Sequence, residues 1–255
     1  MYPEMLLFWI LWIVSLTIVT WVSVRIVKQY PQYGFAALTA FYIVYLAAVQ
    51  IIATRIITFD LGIYTFYAPA AVIIYPFVAQ VIDMINEVYG QKMAHVAIAI
   101  AFLTQVILVV LFVMADTLTP APFYTLEPAW QEIFGMSFRI VLASWISFLI
   151  CSNIDAVVFA KIKQKYLKKE TDFKHHGMLN PYVWLRSSVS DALDLTLDSV
   201  IFVTIAYLGV LPVLPLILGQ IISKNIIGFI DNPWFVWYKH MLKDKNGTPP
   251  EPVQG

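Results

Sequence analysis

Long apolar stretches separated by short polar ones run the length of this chain, and none alternates in the roughly ten-residue pattern of an outer-membrane β-barrel. Stretches long enough to cross a ~30 Å hydrocarbon layer as helices fall at about 5–27, 35–57, 64–88, 93–115, 136–160, 184–208 and 212–238. The pattern predicts an all-α, polytopic helical membrane protein with about seven transmembrane helices. The polar positions inside these stretches are ordered. In the third, Pro76, Gln80, Asp83 and Glu87 recur at spacings that share one helical stripe, with Asn86 at its margin. Pro76 is read there as a break in the backbone bonding of a membrane helix, tolerable only where a neighbour satisfies the freed carbonyl. The fifth carries Ser144, Ser147, Cys151 and Asp155 on one stripe, with Asn153 facing elsewhere. The sixth carries Ser187, Asp191, Asp194 and Asp198, and the seventh carries Gln220, Lys224 and Asp231.

A charged side chain near the bilayer centre costs ~2.5–3.5 kcal/mol on insertion scales, so such residues face a bundle interior or a wet cavity and read as functional. The expectation is a polar chamber shared by four helices. Lys224 is the one lysine deep in a predicted span, so it is expected to pair with an aspartate, Asp198 being at similar depth.

Composition agrees with the pattern: 60% of residues are hydrophobic and 13% charged, about half the charge of soluble domains. Sixteen basic and sixteen acidic residues cancel, so net charge points to no polyanionic partner, and no nucleic-acid partner is expected. A single cysteine, Cys151, excludes an intramolecular disulfide and a multi-cysteine metal site. His175 and His176 are adjacent and lack a third ligand at metal-site spacing, so neither a resident metal nor a cofactor is expected. Without a basic n-region, and with Glu4 near its start, the first apolar stretch reads as a retained span, not a signal peptide.

The order of charges predicts orientation. Lysines and arginines gather after the first, third, fifth and seventh spans, the densest being the loop 161–183, while Glu4, Asp60, Asp116, Glu127 and Glu132 mark the other side. Arg55 and Arg139 go against this trend. The expected location is the cytoplasmic membrane, multi-pass, with the N-terminus outside, the C-terminus in the cytoplasm, and 161–183 as a positive-inside anchor. The tail 241–255, rich in proline and polar residues, reads as disordered.

An enzyme is one competing reading, because "DALDLTLD" supplies Asp191, Asp194 and Asp198 at the D-x-x-D-x-x-x-D spacing by which membrane prenyltransferases hold Mg²⁺ against a diphosphate. A second acidic cluster and a basic diphosphate loop are not evident, however. The Gly and Ala-Arg positions of CDP-alcohol transferases are absent. A receptor-like seven-helix protein would carry larger loops and a less acidic core. Spans five and six also echo each other, "NIDAVVFAKI" against "TLDSVIFVTI", in the manner of an inverted repeat.

Three blocks in order resemble the queuosine-precursor transporters, also called vitamin-uptake-transporter-like integral membrane proteins. They are "VIDMINEVYGQKMAH" with Asp83, Asn86, Glu87, Tyr89 and Gly90; "SNIDAVVFAKIK" with Ser152, Asp155 and Phe159; and "WLRSSVSDALDLTLDSVIF" with Trp184, Leu185, Arg186, Ser190, Asp198 and Phe202. The resemblance implies a six-helix core over 35–240 with an extra N-terminal helix in 1–34. Leu195 stands where the family commonly has Gln, and Asp191 and Asp194 are additions.

The resemblance also implies uptake of a 7-deazaguanine, such as queuine or its simpler precursors, for tRNA modification, with no enzymatic chemistry. Asp83, Asn86, Glu87, Tyr89, Asp155, Trp184, Arg186, Asp198, Phe202 and Lys224 are the expected substrate-binding residues. Carboxylates would accept the N–H donors of a guanine-like edge, and aromatics would stack on the ring. The family is also similar to the substrate-binding subunits of energy-coupling-factor vitamin transporters, which dock on a separate ATPase module. Ala36 and Ala40 form one small-xxx-small pair of the kind that could meet such a module or a second copy in a homo-oligomer. The chain itself holds no P-loop.

Overall fold

A computed structural model describes residues 3–60, 65–134, 138–173 and 180–242. The apolar stretches form helices α1 (Pro3–Gln29), α2 (Pro31–Ile52), α3 (Tyr75–Asp116), α5 (Phe138–Asp172), α6 (Pro181–Tyr207) and α7 (Val213–Leu242), with a short α4 (Glu127–Phe134). Prolines 31, 76 and 181 lie in the first turns of their helices, where a missing N–H costs nothing. Asn180 caps α6 by accepting the backbone N–H of Tyr182 at 3.0 Å. The chain is an all-α polytopic membrane protein. Among the described residues, five stretches are long and apolar enough to cross a membrane, in α1, α2, α3, α5 and α7. The sixth long helix, α6, carries Arg186, Asp191, Asp194 and Asp198. The expected number of crossings therefore stays an expectation.

α3 is two helices in one. Gly90 breaks it with φ 80° and ψ 172°, a left-handed-side backbone that favours glycine. Before the break, Asp83 lies beside Asp155 and Glu87 beside Lys163, so this half runs parallel to α5. After it, His95 meets Asn153 at 2.6 Å and Phe102 meets Trp145, so the second half runs antiparallel to α5. The chain reverses at Gly90.

The third predicted span needs correcting at its start. Residues 64–74 are not the beginning of a helix: β1 (Ile56–Asp60) and β2 (Thr65–Pro69) pair antiparallel, Ile56 opposite Pro69, and a 3-10 turn over Ala70–Ile73 follows. Thr, Phe and Tyr favour the strand, and Pro69 and Pro76 confine the helix to begin after them. Pro76 is thus at a helix start and breaks nothing. The turn is sunk into the bundle. Trp12 of α1 donates to the Ile73 carbonyl at 3.1 Å, and the carbonyl of Tyr67 lies 3.0 Å from where a Cβ on Gly219 would stand, which keeps that position small.

The first half of α3 therefore begins inside the bundle. The Tyr75 ring lies 4.1 Å from the Lys224 ammonium, and Lys224 stands ~16 Å along α7, about half the thickness of a hydrocarbon core. Irregular backbone at such depth survives only where protein or a cavity satisfies it. The core around it is closed by Tyr42, Met84, Ile85, Phe159, Phe235 and Tyr238, all fully buried.

The end of the bundle where α1, the first half of α3, α5 and α7 finish is rich in lysine, with Lys28, Lys163 and Lys239, and is called here the basic end. α5 runs on to Asp172, three turns past its predicted limit, so much of the presumed 161–183 anchor loop is helix. Lys174, His175 and His176 lie outside the described residues, as does most of the tail. Arg139 is explained by packing: it donates to the Ile205 and Leu208 carbonyls at 2.6 and 2.7 Å, capping the end of α6.

Candidate functional site

The stripe on α6 is the spine of the site. Ser187, Asp191, Asp194 and Asp198 repeat at one face of the helix, all buried, and face α3, α5 and α7. The acidic stripes of the neighbouring helices meet it at different depths, which divides the polar residues into three groups.

At the deepest level Asp198 is held on both oxygens. The Lys224 ammonium forms a close ion pair with Oδ2, and the Ser147 hydroxyl donates to Oδ1 at 2.6 Å. The pair expected from depth alone is present. It lines a cavity of about 90 Å³ at the start of α3, together with Tyr75, Phe202, Gln50, Gln220 and Ser144. Gln50 and Gln220 each bury a side-chain oxygen without a donor. The cavity therefore offers one charge pair, two uncommitted acceptors and two aromatic rings. At this volume it is well below the ~300–1,000 Å³ of a pocket holding a ligand, so the conformation is a constricted one.

About 10 Å further along α6 toward the basic end, Asp191 meets Asp83 of α3 and Asp155 of α5, with one oxygen of each within 4.8 Å of the others. Their exposures are 5%, 0% and 0%. Both oxygens of Asp83, both of Asp155 and Oδ1 of Asp191 have no hydrogen-bond partner; only Asp191 Oδ2 receives a bond, from Ser187 at 3.1 Å. Unit charges at this separation repel by about 3–4 kcal/mol per pair at an effective dielectric constant of ~20, so the cluster needs protons or compensating positive charge.

At the basic end the opposite holds. Glu87 accepts from Arg186 at 2.7 Å, Lys239 at 2.9 Å and Lys163 at 3.3 Å. Glu170 of α5 closes the ring with close contacts to Arg186 and Lys239. Arg186 is fully buried and its guanidinium also lies over the Phe159 and Phe235 rings. Two carboxylates and three cations thus tie α3, α5, α6 and α7 together across the basic end.

Of the expected binding residues, Asp198, Phe202 and Lys224 line the cavity, Asp83 and Asp155 join Asp191, and Glu87 and Arg186 belong to the ion network. The others take structural places. Asn86 donates to the Ala156 carbonyl at 2.8 Å, joining α3 to α5. Tyr89 packs its ring on Phe35 with its hydroxyl against Gly34, where a Cβ would stand 2.1 Å from that oxygen. Trp184 packs against Phe229. Leu195, the departure from the family's glutamine, is buried and fills the space that Gly228 leaves.

The D-x-x-D-x-x-x-D run does not converge on one centre, since Asp198 is bound to Lys224 while Asp191 belongs with Asp83 and Asp155. The sequence reading missed Tyr75, Gln50, Glu170 and the inward role of Lys163 and Lys239. Gln50 carried a signal, as the lone strongly polar side chain in the apolar run of α2. Glu170, set in "KIKQKYLKKETD", carried none, because its neighbours there are lysines. Ala36 and Ala40 lie on the outer surface of α2.

The comparisons with known proteins match this architecture. The family described as "Putative vitamin uptake transporter" matches residues 69–238, from the end of β2 into the last turn of α7. A curated protein of Bacillus subtilis (strain 168) named "Probable queuosine precursor transporter" is 27% identical over 165 residues, 63% of this chain and 66% of that protein. The match thus spans a little under two thirds of that relative's length. No solved structure matches the chain. α1, α2 and the strand hairpin up to Ala68 lie outside the family match, whereas the cavity's Asp198 and Lys224, the three clustered aspartates and the ion network's Glu87, Lys163, Glu170 and Arg186 lie inside it, with Lys239 one residue beyond its end. This chain belongs to the vitamin uptake transporter family.

Proposed function

We propose that the chain imports a queuosine precursor, a 7-deazaguanine such as queuine or one of its simpler precursors, across the cytoplasmic membrane, and that its cargo binds in the cavity at the start of α3. The observation that carries this reading is the cavity's chemistry: two buried glutamine acceptors beside a lysine–aspartate pair, with Tyr75 and Phe202 at its wall. A guanine-like edge presents several N–H donors, which suit Gln50, Gln220 and Asp198, and a flat ring suits the aromatics. The name of the Bacillus subtilis relative supports the same cargo. In the orientation predicted from lysine and arginine, the cavity lies in the outer half and the Glu87–Arg186–Glu170–Lys239 network closes the cytoplasmic side. Import then requires that network to part while the cavity closes, as in alternating access. No step makes or breaks a covalent bond.

The test is uptake of labelled queuine, and separately of its nitrile and aminomethyl precursors, by cells that lack their own synthesis and salvage and express this chain alone. Accumulation that disappears in Asp198→Asn and weakens in Gln220→Leu, with both variants still present in the membrane, is the expected result. Accumulation only with a co-expressed ATPase module would make the chain a binding subunit. Failure with all three compounds would overturn the cargo assignment.

A further inference from the structure

Asp83, Asp155 and Asp191 are not explained by cargo binding, because the cavity does not include them. Nor does any lysine, arginine or histidine form an ion pair with them among the described residues. The two cations inside this part of the bundle are committed elsewhere, Lys224 to Asp198 and Arg186 to Glu87 and Glu170. Three aspartates on three different helices have nevertheless been brought together, and the four oxygens of Asp83 and Asp155 are buried with no donor in hydrogen-bonding geometry, the Ser187 and Ser190 hydroxyls lying nearby. A fourth carboxyl outside the triad points the same way. Asp194 is 3% exposed, one turn along α6, has Asp155 as its strongest electrostatic neighbour, and leaves Oδ1 unpartnered. Buried carboxyl oxygens in this number persist only with protons or against a positive ligand.

We propose that Asp83, Asp155 and Asp191 form a seat for a hard metal cation of Na⁺ or Ca²⁺ size, with Asp194 as a further acceptor. The donors are all carboxylate oxygens, the set that hard cations choose and that soft transition metals do not. Three atoms within 4.8 Å of one another leave a point no more than about 2.8 Å from each, so a shift of a few tenths of an ångström gives the ~2.3–2.6 Å contacts of such an ion. The neighbouring groups on every packed helix are Glu87 on α3, Lys163 on α5, Arg186 and Asp198 on α6, and Asp231, Lys224 and Lys239 on α7; the cations among them already hold carboxylates. The seat lies between the cargo cavity and the ion network, on the path that cargo must take. An ion bound there would change cargo affinity, and cargo the ion's, by the same factor. That coupling role rests on the transport reading above; the seat itself does not.

The experiment is thermal melting of the full purified chain, without cargo, in choline chloride against NaCl, KCl, CaCl₂ and MgCl₂ at constant ionic strength. Na⁺ or Ca²⁺ is expected to raise the melting temperature by about 5 °C at a hundredfold excess over its dissociation constant. The arm that responds identifies the ion. The rise should vanish in Asp83→Asn and in Asp191→Asn, and persist in Glu127→Gln, far away on α4. Should either variant fail to fold, radiolabelled Na⁺ and Ca²⁺ binding to the wild-type chain, with one ion per protein expected, decides the matter. Equal melting in all salts with no labelled ion retained, or a rise that both triad variants keep, would overturn the proposal. So would stabilisation by acid alone, which would mean that the carboxyls hold protons. Because no cargo is used, failure here is separate from failure of the uptake experiment.

Discussion

Asp83 and Glu87 are one turn apart on the same face of the same helix, both almost fully buried, yet their surroundings are opposite. Glu87 is surrounded by Arg186, Lys239 and Lys163, while Asp83 faces Asp155 and Asp191 and has no donor on either oxygen. A helix stripe fixes that two side chains point the same way; it does not fix what meets them. The cations reach Glu87 because α5, α6 and α7 each bring a long basic side chain to the basic end, where lysine and arginine can also reach the interface. One turn deeper those helices bring aspartates. Glu87 thus serves as a clasp between helices, and Asp83 as part of a site with unmet charge.

The contrast can be broken most severely at Arg186. Arg186→Met leaves Glu87 and Glu170 facing each other with only lysines to hold them, and loss of one partner from a buried ion network costs about 3–5 kcal/mol. The expected outcome is a melting temperature lower by ~6–20 °C, or loss of the protein from the membrane fraction, read by fluorescence-detected melting. The double change Arg186→Met with Glu170→Leu should recover part of the loss.

Lys224→Met comes next, since it strands Asp198 with Ser147 as its only donor. Uptake of the labelled cargo is expected to fall more than tenfold, and Asp198→Asn in the same chain should restore folding but not uptake. Normal uptake by Lys224→Met would remove this pair from the site.

The comparison is sharpest in a test of opposite signs. In metal-free buffer, Asp83→Asn relieves repulsion within the triad and should raise the melting temperature, whereas Glu87→Gln removes a charge that three cations need and should lower it. About 1–3 kcal/mol is expected in each direction, or ~2–10 °C. If both variants move the same way, the triad is not charge-deficient.

The smallest effects are expected at single acceptors and contacts. Gln220→Leu should weaken cargo binding by about fivefold to tenfold, the worth of one hydrogen bond of ~1–1.4 kcal/mol, in an equilibrium binding assay. Gly34→Ala pushes a methyl group toward the Tyr89 hydroxyl and should destabilise the chain measurably; Tyr89→Phe should relieve it, as the hydroxyl has no other partner.

Much of this architecture can be read from the sequence alone. Hydrophobic runs of sufficient length determine that the chain is a helical membrane protein, because backbone polar groups in lipid must be satisfied within the segment. Helical periodicity determines that Asp191, Asp194 and Asp198 share a face, and depth along the helices anticipates the Lys224–Asp198 pair. Only the tertiary structure decides the rest. The strands at 56–60 and 65–69 and the inward start of α3 were hidden, because a short apolar run with a proline fits a strand, a turn or a helix until its neighbours are known. Likewise no local signal tells that Glu170 and Lys239 turn inward while Tyr89 and Trp184 pack on apolar neighbours. Periodicity is a property of one helix and is written in its own residues. Which charge meets which depends on the relative height and rotation of several helices, and those follow from packing over the whole bundle.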